Sequence, residues 1–114
     1  MTVINMTIKN VDKIINNIIP KNKTIIYYYS DKCPYCIMIK GLWRDITKKY
    51  KNSKTITLIS INRDIKEIFD KLPEDKQVDL VPTFIYYKNG KSKQEFTKKR
   101  EYDDLIKFIE KYNN

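Results

Sequence analysis

The stretch TIIYYYSDKCPYC, residues 24–36, ends in the only two cysteines of this 114-residue chain. Its first part, residues 24–30, is a β-branched and aromatic run that is apolar on both faces, which is typical of a buried central strand. Cys33 and Cys36 follow at once, and Pro34 stands where a first helical turn tolerates proline. The stretch therefore predicts a strand, a short loop and a helix that begins at the cysteine pair.

The rest of the chain alternates between strand and helix patterns. Strands joined by helices pair in parallel through right-handed crossovers, and a terminal hairpin adds antiparallel strands. We therefore predict one α/β domain over 1–114, with a small mixed sheet covered by helices on both faces. The further elements that we expect are helices over 10–19, 36–50, 63–72 and 102–112, strands over 2–6 and 54–62, and a hairpin over 81–97 that turns at Asn89-Gly90.

Composition limits the classes of function. The net charge of +9, from 23 Lys plus Arg against 14 Asp plus Glu, would suit an acidic partner such as nucleic acid or a membrane surface. The basic residues are spread along the chain, however, and abundant lysine, isoleucine and asparagine are typical of AT-rich coding. We therefore do not expect nucleic-acid binding, and the coding bias fits a protist, a low-GC bacterium or a large DNA virus.

The N-terminal sequence lacks the apolar core and small-residue cleavage site of a signal peptide. No apolar run approaches the length of a membrane span. We therefore expect a cytoplasmic protein that does not enter a membrane. Structural disulfides are rare in the cytosol, where a CxxC pair is more often catalytic or metal-binding.

Three chemistries compete for Cys33 and Cys36. A zinc or iron–sulfur site usually needs four ligands, and the chain has two thiols and no histidine, so no metal site is expected within one copy. A cluster bridging two copies remains an alternative. A structural disulfide that closes so short a loop would remove little chain entropy. Reversible thiol–disulfide exchange is the interpretation that we favour.

The position of the pair supports exchange. Cys33 is expected at a helix N-terminus, where unsatisfied N–H groups and the helix dipole stabilise a thiolate, and Lys32 adds positive charge. We predict that Cys33 attacks a substrate disulfide and that Cys36 then resolves the mixed disulfide. Pro34 and Tyr35 would shape the turn and partly cover it.

Two motifs in order, CPYC at 33–36 and VPTF at 81–84, resemble the thioredoxin/glutaredoxin superfamily. The resemblance implies a thioredoxin fold with a central mixed sheet of four to five strands. It also implies a cis Val81–Pro82 bond that faces the cysteines, with the Val81 backbone pairing to substrate in β-strand fashion.

The subfamily features are mixed. The CPYC dipeptide resembles glutaredoxins, whereas the layout from Val81 onward resembles thioredoxin, and the Gly-Gly turn with which glutaredoxins hold glutathione is absent. In thioredoxin, a buried Asp and a buried Lys help to move protons at the second cysteine, and their positions are occupied here by Tyr27 and Leu58. Proton transfer at Cys36 would therefore use water or Lys40. The helix-kinking proline of thioredoxin corresponds to Gly41 in this chain. The small residues that line the substrate groove of thioredoxin correspond to Leu80 and Lys98.

The resemblance implies a protein-disulfide oxidoreductase that acts on disulfide-bearing proteins as a monomer. No bound cofactor is expected, and the reductant would be a thioredoxin reductase or glutathione as co-substrate. The alternatives are a glutathione-dependent glutaredoxin and a thioredoxin-like module that mainly binds a partner. Lys32 and the run 98–100 form a basic cluster that would attract an acidic partner or glutathione. Among the apolar side chains, Met38, Trp43 and the tyrosines at 27–29 are expected in the core.

Overall fold

A five-stranded mixed sheet forms the centre of the protein in a computed structural model that describes residues 2–113. The strand order is β1-β3-β2-β4-β5; β1 and β2 run parallel to β3, whereas β4 is antiparallel to β2 and to β5. This confirms the predicted α/β class and mixed sheet. The strands are β1 (Val3–Asn5), β2 (Lys23–Tyr29), β3 (Thr57–Asn62), β4 (Thr83–Lys88) and β5 (Lys91–Glu95).

The connections between strands are helical, apart from the last hairpin. Within residues 2–113, no helix is both long and apolar enough to cross a membrane. The helices are α1 (residues 11–21, with a π-helical stretch at Ile14–Ile18 and a 3₁₀ turn at Ile19–Lys21), α2 (Pro34–Met38), α3 (Lys40–Tyr50), α4 (Lys66–Phe69) and α5 (Tyr102–Tyr112).

Helices α1 and α4 differ from their predicted bounds. α1 passes through Pro20, because the proline lies in the first turn of the terminal 3₁₀ segment, where its missing N–H breaks no helical hydrogen bond. The helix expected over 63–72 contracts to Lys66–Phe69. Its start is delayed because the Arg63 N–H donates to the Tyr29 carbonyl at 2.8 Å and so extends the strand pairing beyond β3.

Side chains of β2 alternate between two separate apolar cores, one on each face of the sheet. Ile26 and Tyr28 lie in the core covered by α1 and α4, whereas Ile25 and Tyr27 lie in the core covered by α3 and α5. Burial of each such side chain contributes about 1.5–3 kcal/mol to folding. The β2 strand is therefore held from both faces, and the loop that carries the cysteines leaves from its fixed end.

Met38 was expected in the core, and this prediction is wrong. Its side chain is 78% exposed. The prediction assumed one unbroken helix, but the helix breaks at Ile39 (φ −96°, ψ 8°), and Ile39 occupies the buried position instead. The break also lies two residues before Gly41, the expected kink. Tyr27 and Tyr28 are buried as predicted, and Trp43 is half-buried.

Candidate active site

Cys33 is the N-cap residue of α2, directly beyond the loop that follows β2. Its sulfur accepts a hydrogen bond from the Cys36 backbone N–H at 3.2 Å. The sulfur thereby satisfies one of the N–H groups that a helix start leaves free. The structure confirms that the cysteine pair begins a helix, as the sequence predicts.

A polar network holds the loop between β2 and Cys33. The Ser30 hydroxyl donates to the Asp64 carboxylate, with 2.8 Å to either oxygen, and the Asp31 N–H donates to the same group at 3.0 Å. The Asn62 amide donates to the Asp31 carboxylate at 2.9 Å. Sequence reasoning missed Asp64, which lies 34 positions after Ser30 and reaches it only because β2 and β3 are adjacent.

The two thiols differ in exposure. Both cysteines are free, Cys33 is half-buried and Cys36 is 4% exposed. The Cys33 thiol donates to the Val81 carbonyl oxygen, with a sulfur–oxygen distance of 3.7 Å. A disulfide-bearing molecule can therefore reach Cys33 far more easily than Cys36.

The thiols also differ in acidity. Burial alone would raise the pKa of Cys33, but this effect is outweighed by hydrogen bonds from the Cys36 thiol and from the backbone N–H groups of Cys36 and Tyr35. The positive charge of Arg100 acts in the same direction, and the net result is a lowered pKa. Cys33 is therefore the better nucleophile near neutral pH.

Burial, followed by the hydrogen bond with Cys33, raises the pKa of the Cys36 thiol, and the net value is about 11. The Ser30 backbone and the Tyr27 hydroxyl act in the opposite direction, because they hydrogen-bond to the thiolate. The pair is thus one accessible, acidified thiol beside one buried thiol that stays protonated.

The peptide bond between Val81 and Pro82 is cis, as the resemblance to the thioredoxin/glutaredoxin superfamily implies. Val81 lies before β4, which begins at Thr83, so its backbone lies outside the β2–β4 ladder. The contact between Cys33 and the Val81 carbonyl places this unpaired segment beside the nucleophile.

Arg100 connects the two motifs. Its guanidinium Nη2 donates to the Pro82 carbonyl at 2.8 Å, and its Cζ atom lies 5.3 Å from the centre of the Tyr35 ring. The sequence indicated Arg100 only as one charge in the basic run 98–100. The contact could not be located from sequence, because it depends on how the loop after β5 folds back.

The other predicted site residues lie in different surroundings. Pro34 is the first residue of α2 and is exposed, Tyr35 is 47% exposed, and Leu80 is 77% exposed beside Val81. Lys32 is exposed next to Cys33. Lys98 lines a separate surface groove between β5 and α5, so its expected part in substrate binding stays a prediction.

A cavity of about 320 Å³ lies beside Cys36. Tyr27 and Trp43 form part of its wall, and the exposed residues Asp31 and Lys40 also line it, so it opens to solvent. Within the described residues 2–113, no three His, Cys, Asp or Glu side chains converge on a position that could hold a metal ion.

The thioredoxin family model matches residues 2–111 of the chain, which is almost its whole length. The chain belongs to the thioredoxin family. The match agrees with the sheet order, with the cysteine pair at the start of α2 and with the cis proline opposite it.

Among known proteins, the chain is 28% identical over 104 residues to a protein disulfide-isomerase of Schizosaccharomyces pombe, covering 90% of this chain and 28% of that protein. It is 25% identical over 97 residues to human protein disulfide-isomerase A4, covering 82% of this chain and 14% of that protein. The fold is similar to that of human ERp44 in a zinc-bound form, with a TM-score of 0.73, 17% identity, and coverage of 97% and 32% of the two chains. The chain thus spans under a third of each of these relatives.

Proposed function

We propose that this chain is a thiol–disulfide oxidoreductase that uses Cys33 as nucleophile and Cys36 as resolving thiol. The observation that carries the proposal is the asymmetry of the pair: Cys33 is accessible and has a lowered pKa, whereas Cys36 is buried and has a pKa raised to about 11. Two thiols of equal exposure and acidity would have no built-in order of attack. Similarity to two protein disulfide-isomerases supports the same reaction class.

The reaction proceeds in two steps. The Cys33 thiolate attacks one sulfur of a substrate disulfide, which forms a Cys33–substrate bond and releases the other sulfur as a thiolate. Cys36 then loses its proton and attacks the Cys33 sulfur, so that the Cys33–Cys36 bond forms and the Cys33–substrate bond breaks. The substrate gains two electrons and takes up protons from solvent, while the cysteine pair is oxidised; oxidation of a substrate dithiol is the reverse sequence.

The proposed substrates are disulfide-bearing proteins. The Val81 backbone lies beside Cys33 and outside the sheet ladder, which suits pairing with an extended substrate segment. The exposed apolar side chains of Tyr35 and Leu80 flank this region of the chain and offer a contact surface for such a segment. No bound cofactor takes part in the proposed reaction, and a cytoplasmic monomer is part of the same proposal.

The test compares the wild-type chain with Cys33→Ser and Cys36→Ser in the reduction of a protein disulfide such as insulin. We expect turnover only in the wild type. We also expect Cys36→Ser to accumulate a covalent mixed disulfide through Cys33, visible on a non-reducing gel and by mass spectrometry. Wild-type activity no higher than that of Cys33→Ser would contradict the proposal and favour a module that only binds a partner.

The reductant is tested in a second experiment. The oxidised protein is mixed either with NADPH and a thioredoxin reductase, or with glutathione, and the appearance of free Cys33 is followed over time. Reduction by the reductase alone places the chain with thioredoxin-type enzymes, whereas rapid reduction by glutathione favours the glutaredoxin alternative that the Pro-Tyr dipeptide suggests.

A further inference from the structure

Tyr27 is fixed behind Cys36 by aromatic packing. Its ring centre lies 4.6 Å from that of Phe84 and 5.4 Å from that of Tyr29, in stacked arrangements, and 4.9 Å from that of Trp43. Only 4% of its surface is exposed. A ring held on several sides keeps its hydroxyl in one place, which is the condition for a positioned hydrogen-bond donor.

Tyr27 and Cys36 both line the cavity of about 320 Å³. The Tyr27 hydroxyl acts to lower the pKa of Cys36, and Cys36 acts to raise the pKa of Tyr27, the directions expected for a donor beside a thiolate. The other titratable groups around Cys36 are Cys33 within the pair and Tyr29, Asp31 and Lys40 in the cavity wall. Of the two tyrosines that line the cavity, Tyr27 is the one that is among the main influences on the pKa of Cys36.

We propose that Tyr27 donates a hydrogen bond to the Cys36 thiolate as this thiolate attacks the mixed disulfide. The inference rests on the function proposed above and assigns a further residue to its second step. Tyr27 serves as a donor and not as a base, because burial and the nearby thiolates raise its pKa and keep the hydroxyl protonated.

In this role Tyr27 neither gains nor loses a proton during the step. Cys36 releases its proton to water in the open cavity and from there to bulk solvent, while the Tyr27 hydroxyl keeps its own proton throughout. The Cys36 sulfur then forms a bond to the Cys33 sulfur, and the substrate leaves as a thiolate that takes up a proton from solvent. Tyr27 lowers the cost of the thiolate because hydrogen bonds to charged groups are the stronger ones.

The test uses Tyr27→Phe, which removes the hydroxyl and keeps the stacked ring. The matched control is Tyr29→Phe, which removes a hydroxyl from the same strand and the same cavity wall. The first readout needs no exchange reaction: in a Cys33→Ser background, the rate at which Cys36 is alkylated by iodoacetamide is measured between neutral and alkaline pH. We expect Tyr27→Phe to slow alkylation about tenfold at a given pH and to shift the profile to higher pH, and Tyr29→Phe to leave both unchanged.

The second readout follows the reduced protein with both cysteines as it reacts with Ellman's reagent in a stopped-flow instrument. One coloured thiolate is released when Cys33 attacks and a second when Cys36 resolves the mixed disulfide. We expect Tyr27→Phe to leave the first phase unchanged and to slow the second about tenfold. Thermal unfolding of each variant checks that the fold is retained.

The outcomes separate this inference from the proposed function. Equal Cys36 alkylation in Cys33→Ser with and without Tyr27→Phe overturns the role of Tyr27, whatever the wild-type protein does in the insulin assay. Slowing of both Ellman phases, or equal slowing by Tyr29→Phe, also overturns it, because either result indicates a general structural effect. Failure of the proposed function would instead appear as a wild-type protein that shows no insulin turnover while the Tyr27-dependent alkylation is intact.

Discussion

Arg100 holds Pro82 through a hydrogen bond of 2.8 Å from Nη2 to the proline carbonyl. The same guanidinium lies over the exposed ring of Tyr35 at 5.3 Å, and its charge contributes to the lowered pKa of Cys33. One side chain thus contacts the cis-proline segment and one of the two residues between the cysteines, and it also lowers the pKa of the nucleophile.

The first prediction concerns Arg100. Arg100→Gln removes the positive charge, so the pKa of Cys33 should rise and its alkylation near neutral pH should slow about threefold. Arg100→Lys keeps the charge but loses the planar fork that bonds the carbonyl and stacks on Tyr35. It should therefore retain most of the alkylation rate while insulin turnover falls.

The control for Arg100 is Lys99→Gln, which removes a neighbouring charge from an exposed side chain. Alkylation of Cys33 by iodoacetamide, followed by mass spectrometry across a range of pH, compares the variants. If Lys99→Gln slows the reaction as much as Arg100→Gln, the effect comes from net charge and not from the Arg100 contacts.

The second prediction is selective modification of Cys33 in the reduced protein. Its lowered pKa means that the thiolate fraction rises at a lower pH than in an ordinary cysteine. For Cys36, whose pKa is raised to about 11, the thiolate fraction at neutral pH is only about one in ten thousand. Limited iodoacetamide should therefore give one adduct, located on Cys33 by peptide mass spectrometry. Comparable labelling of both cysteines would contradict this asymmetry.

Much of the fold around the cysteines could be predicted from the sequence. The run at 24–30 is apolar on both faces, and Pro34 favours a helix start, so the strand and the helix on either side of the cysteines follow from local patterns. The hairpin turn follows from Asn89-Gly90, whose φ angles of +53° and +86° are ones that asparagine and glycine tolerate best.

Other features depend on contacts between distant parts of the chain. Asp64 meets Ser30 across adjacent strands, and Arg100 reaches Pro82 from a loop 18 positions later. The wrong prediction for Met38 has a different cause, because helical spacing places this side chain inward only if the helix continues past Ile39. These positions could not be predicted because local patterns carry no information about loop direction or about a break within a helix.

The third prediction concerns Leu80, which is 77% exposed beside Val81. Leu80→Ser removes apolar contact area from the proposed docking surface, so kcat/KM for a protein disulfide should fall about threefold to tenfold. The reaction of Cys33 with Ellman's reagent, a small disulfide, should not change. Ile8→Ser is the control, since Ile8 is an exposed apolar residue that follows the edge strand β1. An equal loss for both variants would argue against a specific contact at Leu80.

The fourth prediction concerns stability on the opposite face of the sheet from Tyr27. The Tyr28 hydroxyl donates to the Lys76 carbonyl oxygen at 2.7 Å and accepts from the Tyr87 hydroxyl at 2.7 Å, and all three residues are buried. Tyr28→Phe leaves both buried partners without their hydrogen bond, which should cost about 1–3 kcal/mol of unfolding free energy. The midpoint of urea unfolding measures this loss, provided that the slope is unchanged.

Two further variants show whether this loss comes from unsatisfied polar groups. Adding Tyr87→Phe to Tyr28→Phe removes the Tyr87 hydroxyl that has lost its hydrogen-bond partner. The double variant should therefore lose less unfolding free energy than the sum of the two single losses. Tyr50→Phe should cost no more than about 1 kcal/mol, because the Glu110 carboxylate that accepts its hydrogen bond is exposed and can bond to water instead. Equal losses for Tyr28→Phe and Tyr50→Phe would show that burial of the hydrogen-bond partners does not set the cost.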